Sequence, residues 1–285
     1  MTLRETIAQY YAEKKAIAHF NFSDSNQLRA IADAAKETGL PVIVGLSEGE
    51  RDYFGFSLAR ALVDVYRAQG INIFLNADHT YSTELVQRAI TVGADSVVVD
   101  GARLSMEENL LMLTACVKYA RASGRDVIME GELGYIGQSS KMLDELPEGV
   151  SLENLTTVED AVRFVRESGI DCFAPAIGNV HGMLKSAKEP KLHADRVKEI
   201  ADATGVPLVL HGASGNSEEE IIECIKAGIT IVHINTELRL LYRKSLEKSF
   251  AEHPDEVAPY KFLAPAQAEM KAYVIRKLQV FARQQ

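Results

Sequence analysis

Asp78 and His79 stand side by side in the segment FLNADHTYS, directly after an apolar run. Two more histidines recur at the same place relative to an apolar run: His181 in AIGNVHG and His211 in LVLHGASG. Neutral imidazole is the commonest protein ligand of divalent metals, and three of them leave coordination positions open for a substrate. Such a site is catalytic in character, because a structural ion has its coordination closed by protein atoms. The adjacent acid adds a group able to exchange a proton with a substrate hydroxyl. Taken singly, each histidine also reads as a satisfied core or surface residue, and Asp78 as a loop cap. Jointly they read as one divalent metal site with an acid beside it.

Residues so far apart in sequence meet only if the fold gathers the carboxyl ends of its strands on one face. Short β-branched runs lie at Ala16–Asn21, Val42–Leu46, Ile71–Asn76, Ser96–Asp100, Asp126–Glu132, Cys172–Ala174, Leu208–Leu210 and Ile231–Ile234. Amphipathic helical stretches such as SNQLRAIADAAKETG and TTVEDAVRFVRESG separate them, several ending at a glycine suited to a helix C-cap. Eight such units predict an α/β fold, a (β/α)8 TIM barrel forming one domain over residues 1–285. An open doubly wound sheet is the alternative. The segment at about 264–285 reads as an extra amphipathic helix that covers the barrel or packs against another subunit. Residues 138–154 are long for a βα connection and read as a mobile active-site loop, with 182–191 as a second.

Composition narrows the partners. A net charge of -9 and a pI of ≈ 5.4 argue against nucleic acid or an anionic membrane, while leaving room for a local basic pocket for a phosphorylated metabolite. No apolar run reaches membrane-spanning length, and MTLRETIAQYYAEKK lacks a signal-peptide core. Cys116, Cys172 and Cys224 are widely spaced in apolar surroundings, which predicts buried free thiols in a reducing cytoplasm.

Carboxylates within strand-like runs, Asp100, Glu130 and Glu132, are unusual enough to favour a functional role, and alternation puts Glu130 on the same face as Glu132 but deeper. Near the end of the barrel, Gly182, Lys185, Gly212, Ser214, Asn235 and Thr236 offer backbone N–H groups, hydroxyls and a cation around one anion. These landmarks fall in the order NADH (76–79), VVVDGA (97–102), EGELGYIG (130–137), GNVHG (178–182), LHGASG (210–215) and INTELR (234–239). In that order the chain resembles the class II, metal-dependent fructose-bisphosphate and tagatose-bisphosphate aldolases, from HFNFSD near residue 19 to MKAYVIRKL. The resemblance implies Zn²⁺ or another divalent ion on His79, His181 and His211, and it admits a monovalent cation beside it. It further implies Asp78 as the acid/base, Glu132 as an alternate metal ligand, and Asp100 as a carboxylate that orients or swaps with the ligands. The glycine, lysine, serine, asparagine and threonine groups above then hold the phosphate of the dihydroxyacetone-phosphate half. Asn21 and Ser47 match positions near the other part of the substrate.

The chain departs from that pattern at several points. Where the family reads GGxED in its mobile loop, this sequence has Gly137, Gln138, Ser139, Ser140 and Lys141, so the usual loop acid is missing and Asp144 or Glu145 is the nearest substitute. His233 stands for an asparagine and Asn235 for an aspartate or alanine. Tyr273 stands where some members carry an arginine that reaches a neighbouring subunit's substrate. His233 is therefore a candidate base at the donor carbon. The expected function is reversible aldol cleavage of a ketose phosphate or bisphosphate, in a cytoplasmic homodimer or homotetramer. The alternatives are a metal hydrolase on the same barrel and a sugar-phosphate-binding relative that has lost turnover.

Overall fold

In the computed structural model, residues 1–137, 141–150, 155–185 and 189–284 are described. The strands are β1 (Ile17–Asn21), β2 (Val42–Leu46), β3 (Ile73–Thr80), β4 (Ser96–Val99), β5 (Ile128–Leu133), β6 (Met142–Leu143), β7 (Cys172–Pro175), β8 (Met183–Leu184), β9 (Leu208–Leu210) and β10 (Ile229–Ile234). Eight of them close into a barrel in the order β1-β10-β9-β7-β5-β4-β3-β2, not an open sheet. Every pairing is parallel, and β1 with β10 completes the ring through Ile17↔Ile231 to Phe20↔Ile234. Helices cover the outer face, so these strands are buried on both sides, which accounts for their nearly unbroken apolar runs.

Helix boundaries follow local chemistry. Asp24 accepts N–H bonds from Asn26 and Gln27 to start Ser25–Thr38, which ends at Gly39 in the left-handed region. Thr157 likewise caps Val158–Ser168, which ends at Gly169. At the amino end of the barrel, Arg4 of the first helix, Leu3–Glu13, binds Asp126, Asp171 and the Val127 carbonyl. The C-terminal helix, Ala264–Phe281, packs along this chain's own helices Ser25–Thr38 and Thr236–Glu252, and the Phe281 carbonyl accepts the Ala16 N–H at 2.9 Å.

The largest difference from expectation is in β3, which begins at Ile73 rather than Ile71 and runs on to Thr80, through Asp78 and His79. Its register against β4 slips between Ala77↔Val97 and Thr80↔Val99, one extra residue on β3, and His79 takes φ 39°. In a regular strand Asp78 and His79 would face opposite sides. The bulge returns His79 to the interior side, so both line the barrel mouth. Arg51 braces the turn, donating to the carbonyls of Leu46 at 2.7 Å and Asp78 at 2.9 Å and to Thr80 Oγ1 at 3.2 Å.

The stretches expected as loops contain β6 and β8, which pair with each other as a small parallel sheet. Gln138, Ser139, Ser140 and residues 151–154 of the first loop, and 186–188 of the second, lie outside the described residues.

Candidate active site

A solvent-open cavity occupies the carboxyl ends of the strands. His79, His181 and His211 meet there, with one ring nitrogen of each within 4.8 Å of the others. Their rings lie edge to face, with centroids 4.8 Å (His79–His181), 4.9 Å (His79–His211) and 5.7 Å (His181–His211) apart. Each ring is anchored from behind. His79 Nδ1 is 2.8 Å from Asp100 Oδ2, His181 Nδ1 donates to the Gly137 carbonyl at 2.6 Å, and His211 Nε2 is 2.6 Å from Glu130 Oε1. With those nitrogens engaged, the bonding network leaves His79 Nε2, His181 Nε2 and His211 Nδ1 to face inward. His79 Nε2 and His211 Nδ1 are 3.2 Å apart.

This donor set fits a divalent ion: three imidazoles point inward, and each is oriented by a carboxylate or a carbonyl. Among the described residues Glu132 Oε2 is buried without a hydrogen-bond partner, 3.7 Å from both His79 Nδ1 and His211 Nδ1. An unpaired buried acceptor costs about 1–3 kcal/mol, more if charged, and a nearby cation removes that cost. Burial, with Asp100 adding to it, holds Glu132 well above the usual carboxylate range, and burial pushes Glu130 up to about 8. Burial also lowers His181 to about 4 and takes His211 well below its ordinary value, so both are neutral, the form that ligates.

Asp78 Oδ2 accepts a bond from Asn21 Nδ2 at 2.9 Å, while Oδ1 lies 3.5 Å from His233 Nδ1 and 3.8 Å from His79 Nε2. Burial opposes its ionisation, but His79, His233 and His19 outweigh that and hold it well below the usual range. For His79, burial is outweighed by Asp78 and the Asp100 bond, which raise it to about 10. Asp78 is thus an ionised carboxylate against the imidazole cluster.

Sequence reasoning missed His19. Its ring stacks on His233 (3.6 Å, 7°), which stacks in turn on His211 (4.1 Å, 21°). Asn76 Nδ2 donates to Ser96 Oγ at 2.7 Å, so Asn76 Oδ1 takes the proton of His19 Nε2 at 3.1 Å. Ligand atoms of His19, Asp78 and His233 also lie within 4.8 Å of one another, yet two parallel imidazoles cannot both hold one ion in their ring planes at about 2.0–2.1 Å. The pair therefore packs and does not chelate. A Cβ on Gly45 would stand 2.3 Å from His19 Nε2. Gly45→Ala is accordingly expected to displace His19 and cost about 1–3 kcal/mol, read as a lower urea midpoint at unchanged m-value.

Gly182, Gly212, Ser214, Asn235 and Thr236 line the other side of the cavity. Ser214 Oγ accepts the N–H groups of Asn235 and Glu237 at 3.4 Å, at the start of the 17-residue helix Thr236–Glu252. Gly212 has φ 60°, and a Cβ there would lie 2.5 Å from the Val180 carbonyl, so this close approach excludes a side chain. Lys185 is placed differently from expectation. Its Nζ is 3.0 Å from both oxygens of Asp144, and it does not line the cavity; Asp144, the candidate substitute acid, is its partner. Asn21, Ser47 and His233 do line the cavity, as do Tyr81 and Arg239, which sequence reasoning passed over. Arg239 lies one helical turn beyond Thr236 in the INTELR segment, a spacing that could have drawn attention to it.

Residues 1–285 match the family model described as class-II fructose-bisphosphate aldolase. The chain belongs to this family. It is 34% identical to the fructose-bisphosphate aldolase of Geobacillus stearothermophilus, over 99% of this chain and 96% of the relative. It is 33% identical to the 6-phospho-5-dehydro-2-deoxy-D-gluconate aldolase of Bacillus licheniformis, over 99% of this chain and 94% of the relative. Among solved structures it resembles the YdjI aldolase of Escherichia coli K12, with a TM-score of 0.83 and 28% identity, covering 98% of this chain and 96% of that one. The two curated relatives thus carry different substrate names.

Proposed function

We propose that this class II aldolase family member reversibly cleaves a ketose bearing a donor-end phosphate into dihydroxyacetone phosphate and an aldehyde. The observation that carries the reading is the inward-facing set of three anchored imidazoles with ionised Asp78 beside it. A divalent ion on His79, His181 and His211, Zn²⁺ in this reading, would stabilise negative charge on the donor's carbonyl and hydroxyl oxygens. Asp100 and Glu130 keep His79 and His211 oriented, and Glu132, 3.7 Å from both rings, would serve as an alternate ligand. Asp78 exchanges the proton of the hydroxyl that becomes the aldehyde, and Asn21 holds its other oxygen in place. Gly182, Gly212, Ser214, Asn235 and Thr236 receive the donor phosphate at a helix N-terminus, where backbone N–H groups and the helix dipole favour an anion.

The test is α-proton exchange on dihydroxyacetone phosphate with the metal-loaded protein, together with cleavage of a panel of ketose phosphates. Binding without exchange would select the turnover-deficient relative. Chelator-sensitive hydrolysis without aldol cleavage would select the hydrolase.

His233 is the base at the donor carbon in this reading, because it lines the cavity, its Nε2 is buried without a hydrogen-bond partner among the described residues, and Asp144 is engaged by Lys185. His233→Asn is expected to slow donor proton exchange by about 10²-fold with ion content unchanged. Unaltered exchange would reduce His233 to a packing residue. Assembly as a homodimer or homotetramer and residence in the cytoplasm, where the buried free thiols of Cys116, Cys172 and Cys224 stay reduced, complete the reading.

A further inference from the structure

On the β1–β2 side of the cavity Asn21 and Ser47 stand at the mouths of those strands, and Arg239 lines it from the helix after β10, one turn beyond Thr236. Among the described residues Arg239 is the one lysine or arginine lining the cavity. It is already paired, with Glu50 Oε1. Glu50 itself is locked: its side chain is 7% exposed, and Oε1 also accepts the Ser23 hydroxyl at 3.0 Å. Its Oε2 accepts Asn21 Nδ2, the Ser47 N–H and the Ser47 hydroxyl, each at 2.9 Å.

Two carboxylates, Glu50 and Asp78, therefore share Asn21 on this side, against a single guanidinium. Nearby cations are committed elsewhere. Lys185 is on Asp144, and Arg51 is on the Leu46 and Asp78 carbonyls. Lys277 is buried 3.4 Å from Glu218 and 3.8 Å from Glu237. A phosphate dianion here would meet two carboxylates and a cation whose charge is already neutralised. Like charges held that close in a partly desolvated site cost several kcal/mol. A hydroxyl-bearing chain meets no such penalty, and Asn21, Ser47 and Arg239 line the wall it would bond to.

We propose that Glu50 is a specificity-determining residue that fits the acceptor end to an unphosphorylated, hydroxyl-bearing aldehyde, so that the substrate is a ketose 1-phosphate rather than a bisphosphate. This rests on the aldolase reading and narrows its substrate class. Glu50 does so at a distance from the reacting atoms, by neutralising Arg239 and by fixing Asn21 and Ser47.

The experiment uses the metal-loaded full chain with D-fructose 1-phosphate and D-fructose 1,6-bisphosphate, which differ only at the distal phosphate. Both kcat/KM and calorimetric Kd are measured. The monophosphate is expected to be favoured by about tenfold or more in each, and Glu50→Gln, which keeps the side chain's shape but removes its charge, should move the ratio at least about tenfold toward the bisphosphate. A loss of activity common to both sugars would leave that ratio unchanged, so a merely structural role for Glu50 is separated from a specificity role. Equal or better use of the bisphosphate by the parent protein, or an unchanged ratio in folded, metal-loaded Glu50→Gln, overturns the proposal. If neither sugar is cleaved and dihydroxyacetone phosphate exchanges no proton, the aldolase reading fails instead. The Kd pair on the parent protein then decides this inference by itself, and tighter binding of the bisphosphate overturns it.

Discussion

Replacing His181 or His211 by alanine is expected to release the bound divalent ion and abolish aldol cleavage. Each ring supplies one of three inward-facing nitrogens and is held by a single partner behind it, the Gly137 carbonyl for His181 and Glu130 for His211. Removing one ring leaves two imidazoles among buried carboxylates, and a vacated position on a three-histidine centre is the loss such sites tolerate least. The parent protein should carry about one ion per chain by elemental analysis, consistent with one convergent donor set. His181→Ala is the cleaner variant, because His181 stands in the loop after β7 and outside the imidazole stack, so the fold should survive the change. Chelation of the parent protein should reproduce the defect, and re-addition of Zn²⁺ should reverse it in the parent alone. Full activity in a metal-free preparation, or normal ion content in either variant, would refute this assignment.

Asp78→Ala should behave differently, with cleavage falling by roughly 10² to 10⁴-fold while ion content and donor binding persist. Asp78 makes no anchoring bond to the three inward-facing nitrogens; its nearest approach is 3.8 Å, to His79 Nε2. The anchors behind His79, His181 and His211 are other groups. Asn21 is not orphaned by the change either, since its Nδ2 keeps Glu50 at 2.9 Å. The loss should therefore fall on proton transfer at the acceptor oxygen. Elemental analysis and donor titration of the variant check it, and loss of the ion would make Asp78 a structural residue instead.

Much of this was legible in the chain because it is written in short-range patterns. Eight apolar runs separated by amphipathic stretches, and glycines at helix ends, are consequences of burial and backbone bonding within a few residues. Strand-end histidines, and carboxylates inside strands, likewise announce a polar centre at the mouth of a barrel. Tertiary structure alone decided the rest. Strict alternation would send Asp78 and His79 to opposite faces, and only the slip of β3 against β4 brings both inward; a register shift depends on the neighbouring strand, not on the residues that move. The same holds for charge pairing. Lys185 reads as a phosphate ligand until β6 and β8 align it with Asp144, and Arg239, passed over in the sequence, gains its place only when barrel closure sets it against Glu50, far away in sequence. Periodicity reports which face a side chain takes, whereas its partner is set by which distant strands and helices the closed barrel makes neighbours.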